Sequence, residues 1–128
     1  MAPRKAFLKR ILSAQAGLTL LELIVVTAVI GILAAIAIQQ FQLHRARAID
    51  ASMRADLRNA AMAMESYYGE FLTYPATESS ILLVGYRKTS GVTLTIAITS
   101  PGTYTVSAAR ANGSQNNFTF DSSTGLIN

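Results

Sequence analysis

Apolar residues fill almost every position from Leu18 to Ile38, and the one charged side chain among them is Glu22. As a helix rising about 1.5 Å per residue, these 21 residues would be roughly 32 Å long, which matches the ~30 Å hydrocarbon core of a lipid bilayer. The pattern therefore predicts a membrane-spanning helix that keeps a carboxylate near its start.

From Gln39 to Tyr68 the apolar residues recur every three or four positions, a spacing typical of a helix with one buried face. That predicted stripe consists of Ile49, Met53, Leu57, Ala60, Met64 and Tyr67. Because no Pro or Gly interrupts this segment, we expect one continuous helix from Leu18 to about Tyr68. Gly69 is expected to end it, since glycine readily adopts the left-handed conformation that terminates helices.

Charged residues of this second helical segment are expected to lie away from the buried stripe. They include Asp50, Arg54, Asp56, Arg58 and Glu65. Asp50 and Arg54 stand four residues apart, a spacing at which opposite charges on a helix attract each other.

The last third of the chain changes to a period of two. The first predicted strand turns four aliphatic residues to one face: Val92, Leu94, Ile96 and Ile98. Two more strands are predicted at Tyr104–Ala109 and Asn117–Asp121, with a brief pairing at Leu126–Ile127. Residues 70–90 are expected to form a connecting loop with at most a short strand at Ile81–Val84.

The predicted strands are joined by turns as short as Ser100-Pro101-Gly102 and Asn112-Gly113. Strands with such short connections pair antiparallel, and the apolar face of the sheet can cover the helical stripe. We therefore predict an α+β fold in which a long N-terminal helix, half transmembrane and half amphipathic, packs on a small antiparallel β-sheet.

The basic character of the chain is confined to its first residues. Arg4, Lys5, Lys9 and Arg10 account for the formal net charge of +4, because bases and acids after Gly17 balance. A short basic segment before an apolar run is typical of a membrane-sorting signal, and the basic flank stays in the cytoplasm. We expect the C-terminal part to be exported, and we do not expect nucleic acid to be a primary partner.

Glu22 is a residue that a simple membrane anchor does not need. A carboxylate at mid-bilayer costs on the order of 2.5–3.5 kcal/mol, whereas one near the boundary can reach water. Glu22 is therefore either tolerated at the boundary or paired with a cation inside an apolar assembly. The apolar run is also too long for the core of a secretory signal, and no clear small-residue cleavage site follows it.

The stretch GLTLLELIVVTAVIGILAAIAI, which starts at Gly17, closely resembles the N-terminal signature of type IV pilins and the related pseudopilins. That signature is a basic leader, a Gly, an apolar residue, Thr, two apolar positions around a Glu, and an apolar helix. The resemblance implies that prepilin peptidase, a membrane aspartyl peptidase, cuts between Gly17 and Leu18 and then methylates the new amino terminus on Leu18.

The domain organisation follows from this resemblance. Residues 1–17 would be the leader that is removed, 18–38 the transmembrane and filament-core helix, 39–69 its amphipathic half, and 70–128 the connecting loop and the β-sheet. The resemblance further implies that subunits wait in the inner membrane until a pilus assembly platform polymerises them into a homo-oligomeric extracellular filament.

Three residues are assigned to assembly by the same resemblance: Thr19, Glu22 and Gly31. The Leu18 ammonium of one subunit would meet Glu22 of a neighbour. Gly31 has two interpretations, which are close helix packing in the small-xxx-small pattern with Ala35 and local melting of the helix. The chain departs from the family pattern at Leu18, where Phe is usual, and at Gln39, where many members have a helix-kinking Pro.

Patterns of catalytic or cofactor-binding residues are missing from the sequence. The chain has no Cys, which excludes disulfides and thiolate metal sites. Its one histidine, His44, stands beside Arg45 and Arg47 near the predicted membrane boundary. Asp121 is the only acid after Glu78, whereas Ca²⁺, which pseudopilins often bind, needs about six to eight oxygens. We expect neither enzyme activity nor a cofactor.

The preferred interpretation is a structural subunit of a type IV pilus. The alternatives are a pseudopilin of a type II secretion system or a minor pilin and, in a different class, a single-pass anchored binding module that never polymerises. The Gly17 junction and Glu22 argue against the last alternative. The sequence does not distinguish twitching motility, cell adhesion, DNA uptake and electron transfer as uses of the filament.

Overall fold

The computed structural model describes residues 19–128, so Gly17, Leu18 and the rest of the leader lie outside the described residues. The chain divides into two units, one ending at Gln39 and the other running from Gln40 to Asn128. Helix α1 (Leu20–Phe71) belongs to both units and is followed by a short helix, α2 (Glu78–Leu83). The four strands are β1 (Thr93–Ser100), β2 (Thr103–Ala109), β3 (Asn117–Asp121) and β4 (Leu126–Ile127).

The strands form one antiparallel sheet in the order β1-β2-β3-β4. Strand β2 is interior, and Val106 pairs with Ile96 of β1 on one side and with Phe120 of β3 on the other. Successive side chains of a strand point to opposite faces. This alternation places every second residue of β2 in the core: Tyr104, Val106 and Ala108.

The core of the second unit lies between this sheet and the amphipathic part of α1. Five of the six predicted stripe residues are at most 8% exposed: Ile49, Met53, Leu57, Ala60 and Met64. They pack with Leu94, Val106 and Phe118 of the sheet in one hydrophobic cluster. The predicted α+β fold is confirmed, and the three main strands lie within one residue of their predicted positions.

Helix α1 ends at Phe71, so the prediction that Gly69 ends it is wrong. Leu72 takes the left-handed conformation instead, with φ 57°, and its N–H donates to the Tyr68 carbonyl at 2.8 Å. The rings of Tyr67 and Phe71 lie 4.4 Å apart, and such contacts four residues apart stabilise a helix. This contact also explains why Tyr67 is only half-buried, because its ring packs along the helix.

The short strand predicted at Ile81–Val84 is also wrong, because residues Glu78–Leu83 form α2. Ile81 is fully buried, whereas Leu82 and Leu83 are exposed. A run of four apolar residues does not define a period, so the sequence pattern alone does not distinguish a short helix from a short strand.

Two acids predicted to lie on the polar side of α1 are buried, since Asp50 is 6% and Asp56 is 2% exposed. Asp56 accepts hydrogen bonds from the N–H of Thr89, at 3.1 and 3.2 Å, and from its hydroxyl at 3.1 Å. Asp50 accepts from the N–H of Ser114 at 2.9 Å and from the Ser114 hydroxyl. Buried carboxylates are tolerated when hydrogen bonds replace their water. These two tie the loops before β1 and after β2 to the helix.

The predicted attraction between Asp50 and Arg54 does not form an ion pair. The guanidinium of Arg54 lies over the ring of Phe118 instead, 4.4 Å from its centroid, in a cation–π contact. Across residues 19–128 the only ion pair joins Lys88 to Glu78, at 2.7 Å.

Candidate assembly site

Thr19 and Glu22 form a reciprocal cap at the start of α1. The Glu22 carboxylate oxygen Oε2 accepts from the N–H of Thr19 at 2.9 Å and from its hydroxyl at 2.8 Å. The N–H of Glu22 donates to Thr19 Oγ1 at 3.1 Å. This is a capping box, in which two otherwise unpaired N–H groups of the first turn are satisfied. The Thr-x-x-Glu spacing is the sequence signal for such a cap, although the start of the helix was predicted from its apolar run alone.

The cap places the Glu22 carboxylate close to the predicted processing junction, since its partner Thr19 follows Leu18 directly in the chain. Both described hydrogen bonds to this carboxylate end on Oε2, so its second oxygen accepts none from residues 19–128. Gly17 and Leu18, the other predicted residues of this site, lie outside the described residues. Thr19 and Glu22 are therefore the two predicted assembly residues that the structure brings into contact.

The part of α1 in the first unit exposes its apolar side chains on every face. Large apolar residues from Leu20 to Ile38 are between 51% and 76% exposed, and none of the residues 19–39 is buried. Within the described residues, α1 is the one helix long and apolar enough to cross a membrane by length and composition. Exposed apolar surface on this scale marks a site that lipid or protein covers.

The hydroxyl of Thr27, inside this apolar segment, is satisfied by the helix itself. The hydroxyl of Thr27 donates to the carbonyls of Leu23 and Ile24, both at 3.0 Å. Such internal pairing is what a helix in lipid requires, because no water is present to replace it.

Gly31 lies in an uninterrupted helix, and a Cβ added to it would meet no atom within 4 Å. The subunit alone therefore places no steric demand on this glycine. Close packing against another helix and local melting both stay as predictions for its role.

The remaining charged residues of the described chain do not form a reactive group. His44, Arg45 and Arg47 are exposed along α1, and residues 19–128 contain no cluster of three His, Asp or Glu side chains that could hold a metal. Asp121 is engaged in a turn, where it accepts from the hydroxyl of Ser123 at 2.6 Å and from its N–H at 2.8 Å. These hydrogen bonds lower the pKa of Asp121.

Two comparisons with known proteins bear on this site. Residues 12–38 match the family described as the prokaryotic N-terminal methylation motif. The chain is also 33% identical, over 98 residues, to the type IV wide pilus major component PilA4 of Thermus thermophilus. That alignment covers 76% of this chain and 75% of the relative, so it extends well beyond the apolar segment.

The same family is indicated by the shared sequence, by the long apolar helix and by the small antiparallel sheet. The families concerned are structural rather than enzymatic. The chain therefore belongs to the type IV pilin family.

Proposed function

We propose that this chain is the precursor of the major subunit of a type IV pilus. It is cut between Gly17 and Leu18, methylated on Leu18, held in the inner membrane with its N-terminus in the cytoplasm, and polymerised into an extracellular filament. Thr19, Glu22 and Gly31 act in assembly, and the chain itself is not an enzyme. The relative named as a wide pilus major component supports the major-subunit role over a minor pilin or a pseudopilin.

The observation that carries the proposal is the exposed apolar part of α1. A helix that is apolar on all faces is unfavourable in water. Full burial of each large apolar side chain stabilises it by about 1.5–3 kcal/mol relative to exposure. Lipid covers such a helix before assembly, and copies of the same helix cover it in a filament. The same segment thus anchors the subunit in the membrane before assembly and forms the core of the filament afterwards.

Glu22 is proposed to pair with the Leu18 ammonium of a neighbouring subunit. A carboxylate inside an apolar bundle is costly unless it is paired, and cleavage after Gly17 creates a cation at the same end of the helix. Within one subunit Glu22 also caps the helix through Thr19. The charge and the cap are separate properties, and they can be tested separately.

Intact mass spectrometry of sheared surface filaments from the native host tests processing and assembly together. We expect an abundant chain that starts at Leu18 and carries one added methyl group. A chain that starts at Met1, or one found only in membranes, would contradict the major-pilin role. A pseudopilin or a non-polymerising anchor would then be the better explanation.

Substitution of Glu22 by Gln and by Ala separates the two properties of this side chain. Gln at this position still completes a capping box, whereas Ala does not, and both remove the charge. If charge pairing drives assembly, both Glu22→Gln and Glu22→Ala subunits should be cleaved and stay in the membrane but yield no sheared filaments. Wild-type filament yield from Glu22→Gln would show that the cap suffices and that the pairing is wrong.

A further inference from the structure

Asn112 is the one asparagine in the sequence that a glycine follows, and the pair lies in the loop between β2 and β3. Asparagine is thermolabile, because the main-chain nitrogen of the next residue can attack its side-chain amide. Glycine favours this attack, since it has no Cβ to hinder the approach and the widest choice of backbone conformations. Asn112 is exposed to water. The pair therefore has the chemistry of a spontaneous deamidation site.

Deamidation of this pair consumes water and no other reactant. The nitrogen of Gly113 forms a bond to Cγ of Asn112, and the bond from Cγ to the side-chain nitrogen breaks. That nitrogen takes up the proton that Gly113 loses and leaves as ammonia, so a succinimide ring remains. Water then opens the ring at one of its two carbonyls and gives aspartate or isoaspartate. The chain has lost one ammonia and gained one water.

The folded loop holds Asn112 in a backbone conformation that prevents the attack. Its φ is 67°, and the left-handed region that a non-glycine residue occupies at such a φ has a ψ of about +30 to +60°. At that ψ the nitrogen of Gly113 lies on the far side of the Cα–C bond from the Asn112 side chain. Ring closure needs both on the same side, so the Cα–C bond of Asn112 must first rotate.

Contacts with the buried carboxylate of Asp50 oppose this rotation. Asp50 accepts hydrogen bonds from the N–H of Ser114 at 2.9 Å and from the Ser114 hydroxyl. Gly113 lies against the same carboxylate, because a Cβ added to it would be 2.6 Å from Asp50 Oδ1. Rotation at Asn112 moves both residues and takes the hydrogen-bond donors away from a buried charge, which is costly. The loop must therefore open at Asp50 before the ring can form.

We propose that Asn112-Gly113 is a deamidation site that the hydrogen bonds between Asp50 and Ser114 keep inert in the folded subunit. The rate in the folded chain is then the rate in the open loop multiplied by the fraction of chains whose loop is open. Isoaspartate adds one carbon to the main chain before Gly113, so Ser114 does not regain its place at Asp50. Formation of isoaspartate thus makes the opening of the loop irreversible. The site belongs to the second unit and does not depend on polymerisation.

Peptide mapping by mass spectrometry of the full chain, incubated in detergent at mildly alkaline pH, measures the deamidation of Asn112. The same chain unfolded in urea gives the rate for an open loop. We expect Asn112 to react at least about tenfold more slowly in the folded chain than in urea, since only the open fraction reacts. Equal rates would overturn the proposal, and so would an Asn112 that stays unmodified in urea.

Two substitutions weaken the contact between the loop and α1 to different degrees. Asp50→Asn removes the charge that holds both donors, and Ser114→Ala removes the hydroxyl donor alone. We expect the rate in the folded chain to rise at least about fivefold in the first and about twofold in the second, because each lost hydrogen bond makes opening easier. Ser114→Ala keeps the test decisive if Asp50→Asn does not fold, which protease resistance reports.

Asp56→Asn is the matched control, because it changes the other buried acid of α1, whose donor Thr89 lies in a different loop. It should leave the rate at Asn112 unchanged. An unchanged rate in Ser114→Ala and in every folded Asp50 variant would show that this contact does not protect Asn112. A rise in Asp56→Asn equal to that in Asp50→Asn would show that general loss of stability, rather than the loop, sets the rate. Either result would overturn the proposal.

Discussion

Two buried tyrosines of the second unit have opposite hydrogen-bonding situations. Tyr104, which is 1% exposed, donates its hydroxyl to Glu65 Oε1 at 3.0 Å. Tyr86 is 3% exposed, and its hydroxyl finds no partner among the described residues. Only the positions of their neighbours in the fold decide which of the two hydroxyls is satisfied.

Replacing each tyrosine by phenylalanine should therefore have different effects on stability. Tyr104→Phe should lower the free energy of unfolding by about 1–2 kcal/mol, because a hydrogen bond to a carboxylate is lost. Tyr86→Phe should leave it unchanged or raise it by up to about 1 kcal/mol, because no bond is lost and a buried polar group is removed. Denaturant unfolding of the full chain in detergent measures both, and equal losses would contradict the assignment.

At the scale of elements, α1 and the loop between β2 and β3 meet at a glycine. A Cβ added to Gly113 would lie 2.6 Å from Asp50 Oδ1 and 2.8 Å from the carbonyl oxygen of Gln115. The turn at Asn112-Gly113 was predicted from its sequence, and Asn112 has the left-handed φ of 67°. The close approach of the helix could not be predicted, because it depends on a carboxylate 63 positions earlier in the chain.

Gly113→Ala should destabilise the second unit, and Gly69→Ala should not. The first change should cost about 1–3 kcal/mol, the usual range for forcing extra atoms into a packed contact. The second adds a Cβ that meets no atom within 4 Å inside a helix, so it should raise stability by up to about 1 kcal/mol. Thermal unfolding followed by circular dichroism compares the two. A neutral Gly113→Ala would show that the loop can move away from α1.

For the whole molecule, the buried tyrosines make stability depend on alkaline pH. Burial, which disfavours the phenolate, raises the pKa of Tyr86 and Tyr104 above the usual value, and the carboxylate of Glu65 adds to this effect at Tyr104. The unfolded chain then loses these protons at a lower pH than the folded chain. The contribution of the two protonated tyrosines to the free energy of unfolding is complete below the ordinary tyrosine pKa of about 10, and it decreases as the pH rises above that value.

We expect the free energy of unfolding to fall with pH above about 10, the ordinary pKa of tyrosine. The Tyr104→Phe variant should show a shallower decline, because one of the shifted groups is gone. Denaturant titrations at a series of alkaline pH values give the slope directly. A slope that is the same in the variant and the parent would mean that Tyr104 ionises alike in both states.

What the sequence by itself determined is local and periodic. The apolar run predicted the first half of α1, the three-to-four spacing predicted the buried stripe, and the alternation predicted the strands. The last two predictions follow because one face of each amphipathic element must meet the core. The prepilin signature from Gly17 identified the family, since it depends on contiguous residues. These features require no knowledge of distant contacts.

The tertiary structure alone decided which polar groups turn inward. Asp56 and Asp50 are held by donors 33 and 64 positions away, in loops whose place no local pattern reports. Because both are buried, no exposed acid lies between Arg45 and Arg58 of α1. The spacing of apolar residues along the sequence indicates which positions are buried. The hydrogen-bond donors that make a buried carboxylate tolerable are brought next to it only when the chain folds.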